Sequence, residues 1–180
     1  MTLSRSRFVE LAADGSAVGE RTLEYALPSR VSACTVAVAC LRRHDGAVWL
    51  GIDDDDLPAS QCFDGHSELL VTPAWRLPRA VTGLRAAEAF VRARLAREYG
   101  VDCGPLVELG GRYHPSPAVT PEVVHPYATD VRAEGAGARA LRWVRLDAAV
   151  RHRAQLLDGH LRVVALRAAH ALGLLDPASG

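Results

Sequence analysis

The chain has 180 residues, the length of one ordinary domain. Hydrophobic residues make up 49% and charged residues 23%, which supplies a core and excludes global disorder. The 21 basic and 21 acidic residues cancel, so nothing in the composition indicates a nucleic-acid or membrane-surface protein. Every basic residue is Arg, which excludes a Schiff-base or Walker-type lysine.

The first half of the chain has the pattern of β-structure. Strands are predicted over residues 7–11 and 21–27 around an Asp-Gly-Ser turn, then over 32–41 and 47–52 around Asp45-Gly46. Residues 53–85 are rich in Asp, Pro and Gly and predict a long functional loop, in which residues 68–72 form a further strand.

The second half opens with the clearest helix of the sequence, over residues 85–99, closed by Gly100. Its predicted apolar face consists of Ala86, Ala89, Phe90, Ala93 and Ala96. Strands follow over 106–113, 123–131 and 140–146. Asp147 is the predicted N-cap of a short helix, and Asp158 that of a helix over 160–172. This order indicates an α+β protein.

The cysteines Cys34, Cys40, Cys62 and Cys103 are irregularly spaced and predict neither a zinc site nor a disulfide framework. Cys34 and Cys40 lie in an apolar run and are expected to be buried thiols. The first ten residues are polar, and no apolar run reaches the ~20 residues that cross a bilayer. We therefore expect a cytoplasmic protein.

The predicted helix matches the frame of the Nudix box, G-x5-E-x7-R-E-U-x-E-E-x-G-U, where U is aliphatic. Leu95, Glu98, Gly100 and Val101 fit this frame. The departures are Ala93 for the box arginine, Arg94 and Arg97 for two glutamates, and Arg79 and Arg85 for the first glycine and first glutamate. The segment resembles the Nudix pyrophosphohydrolases in spacing and lacks most of their metal-binding carboxylates.

Three later segments resemble the ADP-ribose and nucleoside-diphosphate-sugar pyrophosphatase branch of that family. Residues 109–122 resemble its YPSPG-x-x-x-E loop, with Ser116, Pro117 and Glu122 in place. Residues 141–147 resemble its late strand, and residues 156–161 its C-terminal helix. The resemblance implies a single domain with a Nudix-fold α/β/α sandwich and mixed β-sheet over 31–180. It also implies N-terminal antiparallel strands over 1–30 that form a homodimer interface.

Nudix hydrolases use several carboxylates on the box helix to hold Mg²⁺, a hard cation that requires oxygen ligands. Arg94 and Arg97 repel such a cation, which leaves Glu98 as the one box carboxylate in register. The sequence therefore predicts no standard metal site and no certain cofactor. The two arginines, three residues apart, either bind an anionic substrate directly or form a solvated face with Arg94 paired to Glu98.

Two segments outside the helix are rich in reactive groups. Four adjacent aspartates at residues 53–56, with Asp53 and Asp55 as catalytic candidates, predict a relocated metal site, a clamp for a cationic substrate, or an exposed acidic loop. Residues 61–68 add a thiol, an imidazole and carboxylates, with His66 as candidate acid–base and Glu68 as candidate substrate contact.

The Pro-rich loop supplies the remaining candidates. Glu122 is the acid–base residue that the resemblance carries over, and His114 and Ser116 are candidate substrate contacts. The alternative for Glu122 is an ordinary surface carboxylate. Trp75 and Trp143 are expected in the core, although either could stack on a base.

The leading prediction is a divergent Nudix-fold protein that binds a small metabolite and performs non-hydrolytic chemistry in a biosynthetic pathway. Isomerisation, elimination and cyclisation are the reactions considered. One alternative is a Mg²⁺-dependent nucleoside-diphosphate-sugar pyrophosphohydrolase whose metal site is rebuilt from residues 53–56, Glu98 and Glu122. The other is a non-catalytic ligand-binding or partner module. The expected partners are a small molecule and a second copy of the chain, without nucleic acid or membrane.

Overall fold

The structure, a computed structural model, describes residues 2–27, 31–56, 68–116 and 120–175. Its strands are β1 (Thr2–Leu11), β2 (Ala17–Leu27), β3 (Val31–His44), β4 (Ala47–Asp56), β5 (Glu68–Val71), β6 (Ala74–Pro78), β7 (Val101–Cys103), β8 (Val107–Glu108), β9 (Val123–Glu134) and β10 (Arg142–Arg145). Its helices are α1 (Leu84–Tyr99), α2 (Leu146–Arg151) and α3 (Gly159–Ala171), with a 3₁₀ turn at Arg153–Gln155.

Eight strands form one mixed sheet with the central order β10-β4-β3-β9-β7. The strands β5, β6 and β8 extend it by pairing with β4, β3 and β9. β3 and β9 are parallel, and the other pairs are antiparallel. β1 and β2 form a separate antiparallel pair. The α+β class, the mixed sheet and the N-terminal antiparallel strands are thereby confirmed.

The central strand β3 is buried on both faces because helices cover both sides of the sheet. Val36, Val38 and Cys40 belong to the core cluster that contains the buried side of α1. Ala37 and Leu41 alternate with them and belong to the cluster that contains α2 and α3. In the described part of the chain, helices therefore pack on both faces of the sheet, with α1 on one face and α2 and α3 on the other.

The turn between β3 and β4 is the predicted two-residue hairpin. Asp45 and Gly46 both have positive φ, at 49° and 71°. This matches the type I′ turn that Asp-Gly favours, in which both central residues adopt positive φ.

The predicted end of α1 is confirmed, and its predicted apolar face is wrong. Gly100 adopts the left-handed conformation with φ 66° and closes the helix. Its buried residues are Ala87, Val91, Leu95 and Tyr99. In the predicted set, by contrast, Ala89, Ala93 and Ala96 are exposed and Ala86 and Phe90 are half-buried. The helix packs through the face of Val91, Leu95 and Tyr99 because these larger side chains remove more apolar area from water than the alanines of the predicted face would.

The two capping predictions have opposite outcomes. Asp158 precedes α3 and accepts a hydrogen bond from the Leu161 N–H at 2.6 Å, as an N-cap does. Asp147 is not an N-cap, because α2 begins one residue earlier at Leu146. Its carboxylate lies in the first turn and accepts hydrogen bonds from Arg145 and Arg151.

The prediction of a loop over residues 53–85 is wrong for much of its length. The four aspartates of residues 53–56 continue β4 and pair with β5. The next strand, β6, pairs with the first half of β3. Between β4 and β5, residues 57–67 lie outside the described residues. The predicted strand over 106–113 is also too long, since β8 covers only Val107–Glu108, followed by a single bridge at Tyr113.

The segment after β9 packs tightly on the end of α1. The Gly135 N–H donates to the Gly100 carbonyl at 2.8 Å, and the Arg139 N–H donates to the Glu98 carbonyl at 2.7 Å. A side chain at Gly137 would fall directly on the backbone of Tyr99 and Gly100.

We therefore expect Gly137→Ala to destabilise the protein by about 1–3 kcal/mol, because the clash is with backbone that cannot yield. Urea unfolding measures this loss. Gly159→Ala is the matched control, because its new methyl group would meet nothing within 4 Å. Equal unfolding midpoints for the two variants would refute the close packing.

Candidate functional site

Glu98, the glutamate of α1 whose position resembles one in the Nudix frame, is held by three side chains. The Trp75 Nε1–H donates to its Oε2 at 2.9 Å. Arg94 Nε lies 2.8 Å from Oε1, and an Arg97 terminal nitrogen lies 3.3 Å from the same atom. The buried Arg94 Nε–H makes no hydrogen bond, so its contact with Glu98 is an ion pair. The predicted Arg94–Glu98 pairing is confirmed, and two guanidinium groups neutralise the carboxylate.

The acidic run is neither a loop nor open to solvent as a whole. Asp53 is only 6% exposed, and its Oδ2 accepts a hydrogen bond from the Tyr99 hydroxyl at 2.7 Å. The same oxygen lies 2.8 Å from a terminal nitrogen of Arg139, which also lies 3.5 Å from Asp55. The exposed Asp54 pairs with Arg142 at 3.2 Å. Arginine side chains lie beside Asp53, Asp54 and Asp55 and offset their charges.

Tyr99 reinforces this arrangement. Burial, followed by the hydrogen bond to Asp53, raises the pKa of Tyr99, so the phenol stays protonated and remains a donor. The interaction fixes the C-terminal end of α1 against β4. The Asp53 carboxylate is thus engaged by Tyr99 and Arg139, and its role as a catalytic candidate stays a prediction.

Glu122 is largely buried, with its side chain 13% exposed. It accepts a hydrogen bond from the Thr35 hydroxyl at 2.5 Å and lies 3.3 Å from a nitrogen of Arg76. Its interpretation as an ordinary surface carboxylate is wrong. His114 lies beside it, with Nδ1 3.1 Å from the Glu122 carbonyl oxygen.

Glu122 and Glu98 do not converge. Thr35 and Arg76 are register partners on the face of the sheet that carries α3, whereas Val36 and Trp75 are partners on the face that carries α1. Because Glu122 binds the first pair and Glu98 contacts Trp75, the sheet separates the two carboxylates. A shared metal or acid–base site would require them on one side.

The other candidates are scattered. His114, Ser116 and Glu68 are exposed, and the Arg97 side chain is 67% exposed. His66 lies outside the described residues. Within the ranges that the structure describes, no group of three His, Cys, Asp or Glu side chains could hold a metal ion.

A cavity of about 450 Å³ opens at the other end of α1, between that helix and the sheet. We call it the α1 cavity. Its walls come from β3, β6, β9 and the first turns of α1, and are mostly apolar. Its lining residues include Ser32, Cys34, Thr82, Ala87, His125 and Tyr127. The volume falls in the range typical of sites for small molecules.

The polar groups of the α1 cavity differ in how far they are already engaged. The Ser32 hydroxyl donates to the Leu77 carbonyl at 2.9 Å. Cys34 is a free, partly exposed thiol, which corrects the expectation that it is buried. His125 is half-buried. Burial, followed by the charge of Glu108, raises the pKa of Tyr127, so its phenol remains protonated.

Sequence reasoning missed this cavity. His125 was not singled out, and Cys34 was expected only to pack in the core. Cys34 and His125 come together through the parallel pairing of β3 and β9, although they are 91 positions apart in the chain. No local pattern carries that pairing.

No protein-family model matches the chain, and no curated protein matches it significantly. Among the helices that the structure describes, none combines the length and the apolar character needed to cross a membrane.

Replacing Arg139 by Met should destabilise the protein by about 2 kcal/mol, because it removes a charge partner of the buried Asp53. The estimate is below that for a fully buried pair, since the Arg139 side chain is 38% exposed. Arg142→Met is the matched control and should cost about 1 kcal/mol or less, because both members of the Arg142–Asp54 pair are exposed. Urea midpoints that rank the variants in reverse would contradict this assignment.

Proposed function

We propose that the chain is a divergent Nudix-fold protein that binds a small metabolite in the α1 cavity and acts on it without the metal site of the Nudix box. The observation that carries the proposal is the difference between the two ends of α1. Near its C-terminal end, two arginines neutralise the Glu98 carboxylate, whereas its N-terminal end borders an open cavity of about 450 Å³.

The architecture supports the Nudix part of the proposal. The helix in the frame of the box ends at Gly100, which fits the glycine of that frame and adopts the left-handed conformation. It packs on one face of a mixed sheet, and the C-terminal helices pack on the other. The segment that resembles the YPSPG loop precedes the strand β9, which pairs with the central β3.

Non-hydrolytic chemistry is favoured over diphosphate hydrolysis because the carboxylates that a metal would need are paired with arginine or lie on opposite faces of the sheet. A rebuilt Mg²⁺ site would need oxygen ligands from residues 53–56, Glu98 and Glu122. Asp53 and Glu98 are each bound to arginine, and Glu122 lies on the opposite face of the sheet from Glu98. Isomerisation, elimination or cyclisation of the bound metabolite remains the proposed reaction type.

The second part of the proposal is a homodimer formed through β1 and β2. Among the strands that the structure describes, β1 and β2 pair with each other and with no third strand, and Val9, Leu11 and Val18 are between 49% and 65% exposed. A lone two-stranded sheet is marginally stable in water, so a second copy of the chain would supply the cover that it lacks.

Ligand binding in the cavity is tested with the dye 1-anilinonaphthalene-8-sulfonate, followed by its fluorescence. We expect the wild-type protein to bind it and Thr82→Trp to weaken binding by about tenfold or more, because the indole fills the mouth of the α1 cavity. Ala93→Trp, on an exposed position of the same helix, should bind as wild type. Equal binding by both variants would place the dye elsewhere.

The hydrolase alternative has its own assay. Incubation with ADP-ribose and Mg²⁺ should release no AMP above a protein-free blank. Magnesium-dependent release of AMP that disappears in Glu98→Gln would overturn the metal-free proposal.

The dimer is tested by light scattering after size exclusion. The double variant Val9→Asp, Leu11→Asp should be monomeric, because it places charges on the surface proposed to be buried. Leu157→Asp changes another exposed leucine, on a surface outside the hairpin, and should remain dimeric. A monomeric wild-type protein at micromolar concentration would refute the proposal.

A further inference from the structure

We propose that Cys34 and His125 form a thiol–imidazole pair that transfers an acyl group of the ligand in the α1 cavity. The inference rests on the proposed function, because it uses the same cavity. It names the substrate class, a small and mainly apolar ester or thioester, and it assigns a role to two residues on different strands.

The strand register brings the two side chains to one surface. Cys34 pairs with Val123 and Val36 pairs with His125 in the parallel β3–β9 ladder. Cys34 and His125 are therefore diagonal neighbours on the same face, roughly 8 Å apart at Cα from the standard strand spacings. Both line the α1 cavity. Contacts between catalytic groups are commonly longer in a free enzyme than in its complex with substrate.

Cys34 is the cysteine suited to this role among those described. Cys40 and Cys103 are buried, and desolvation raises the pKa of each thiol, which disfavours the reactive thiolate. Cys34 is partly exposed and free. The hydroxyl of Ser32, the other nucleophilic group near it, already donates to a backbone carbonyl.

The cavity also has donors for the charge that develops on an acyl oxygen. Gly83 and Leu84, at the start of α1, line it. Gly83 is the N-cap and offers no side chain to the amides of the first turn, which also contains no acidic residue. These amides and the Tyr127 phenol can donate hydrogen bonds to an oxyanion in mostly apolar surroundings, where such bonds are strongest.

The reaction balances within these groups. The Cys34 thiol gives its proton to His125 as sulfur attacks the acyl carbon, and the leaving alcohol or thiol takes that proton from His125. A hydroxyl or amine within the acyl group that is bound to sulfur then attacks the thioester carbon, His125 accepts its proton, and the proton returns to sulfur as the C–S bond breaks. Attack from within the ligand produces a ring, so the step is a cyclisation.

The experiment uses p-nitrophenyl acetate on the full chain in a Cys62→Ser background. The chain has no lysine, which removes the usual competing amines. We expect a burst of p-nitrophenolate near one equivalent and one acetyl group on the peptide that contains Cys34. Cys34→Ala should abolish the burst, and His125→Asn should slow it by about 100-fold, the order expected for loss of a general base. Cys103→Ser, a change at a buried thiol, should retain it.

The possible failures are distinguishable. Dye binding that is sensitive to Thr82→Trp, together with no acetylation of Cys34, would overturn this inference and leave the proposed function standing. Acetylation of Cys34 at the same rate in His125→Asn would overturn the pairing of the two residues. Loss of both dye binding and acetylation in the folded wild-type protein would overturn the inference and the proposed function together. Unfolding midpoints of each variant exclude loss of fold as the cause.

Discussion

The burial of β3 on both faces is the constraint on which the other layers depend. Its buried run, residues 35–41, consists of Thr, Val, Ala, Cys and Leu side chains that alternate between two hydrophobic clusters. A strand with two apolar faces requires a cover on each side, and α1 and α3 provide it. The same strand pairs with β4, β6 and β9, so its position sets the register of three neighbours. Cys34 lies at the edge of this run, where burial ends and the α1 cavity begins.

Arginine side chains neutralise the carboxylates Asp53 and Glu98 on the face of the sheet that carries α1. Asp53 and Glu98 lie near opposite sides of the Trp75–Tyr99 ring contact, and each has at least one guanidinium partner. A guanidinium group can bind a carboxylate through several donors and is weakly hydrated, so it tolerates partial burial better than an ammonium group. The hydrogen bonds from Trp75 to Glu98 and from Tyr99 to Asp53 fasten the end of α1 to the sheet, and the ion pairs engage carboxylate oxygen atoms that a metal would need. Helix α1 thus packs on the sheet while its carboxylate Glu98 is engaged by Arg94 and Arg97.

Sequence reasoning located the helix in the box frame, its terminal glycine and the Arg94–Glu98 pair, because all three depend on contacts within one or two helical turns. It failed on the acidic run for a physical reason. Four aspartates have low strand propensity, yet pairing with β5 and compensation by Arg139 and Arg142 hold them in β4. It also placed Glu122 in one site with Glu98, since a sequence does not reveal which face of the sheet each residue occupies.

The sequence by itself determined the elements that local chemistry can specify. The Asp45-Gly46 turn, the left-handed Gly100 and the Asp158 cap each follow from the conformational and hydrogen-bonding properties of a few adjacent residues. Only the tertiary structure decided the parallel β3–β9 pairing, the separation of Glu98 from Glu122 and the meeting of Cys34 with His125 in one cavity. Those outcomes depend on which distant strands pair and on the two-residue alternation of side chains, and a single shift in register would move every side chain to the other face.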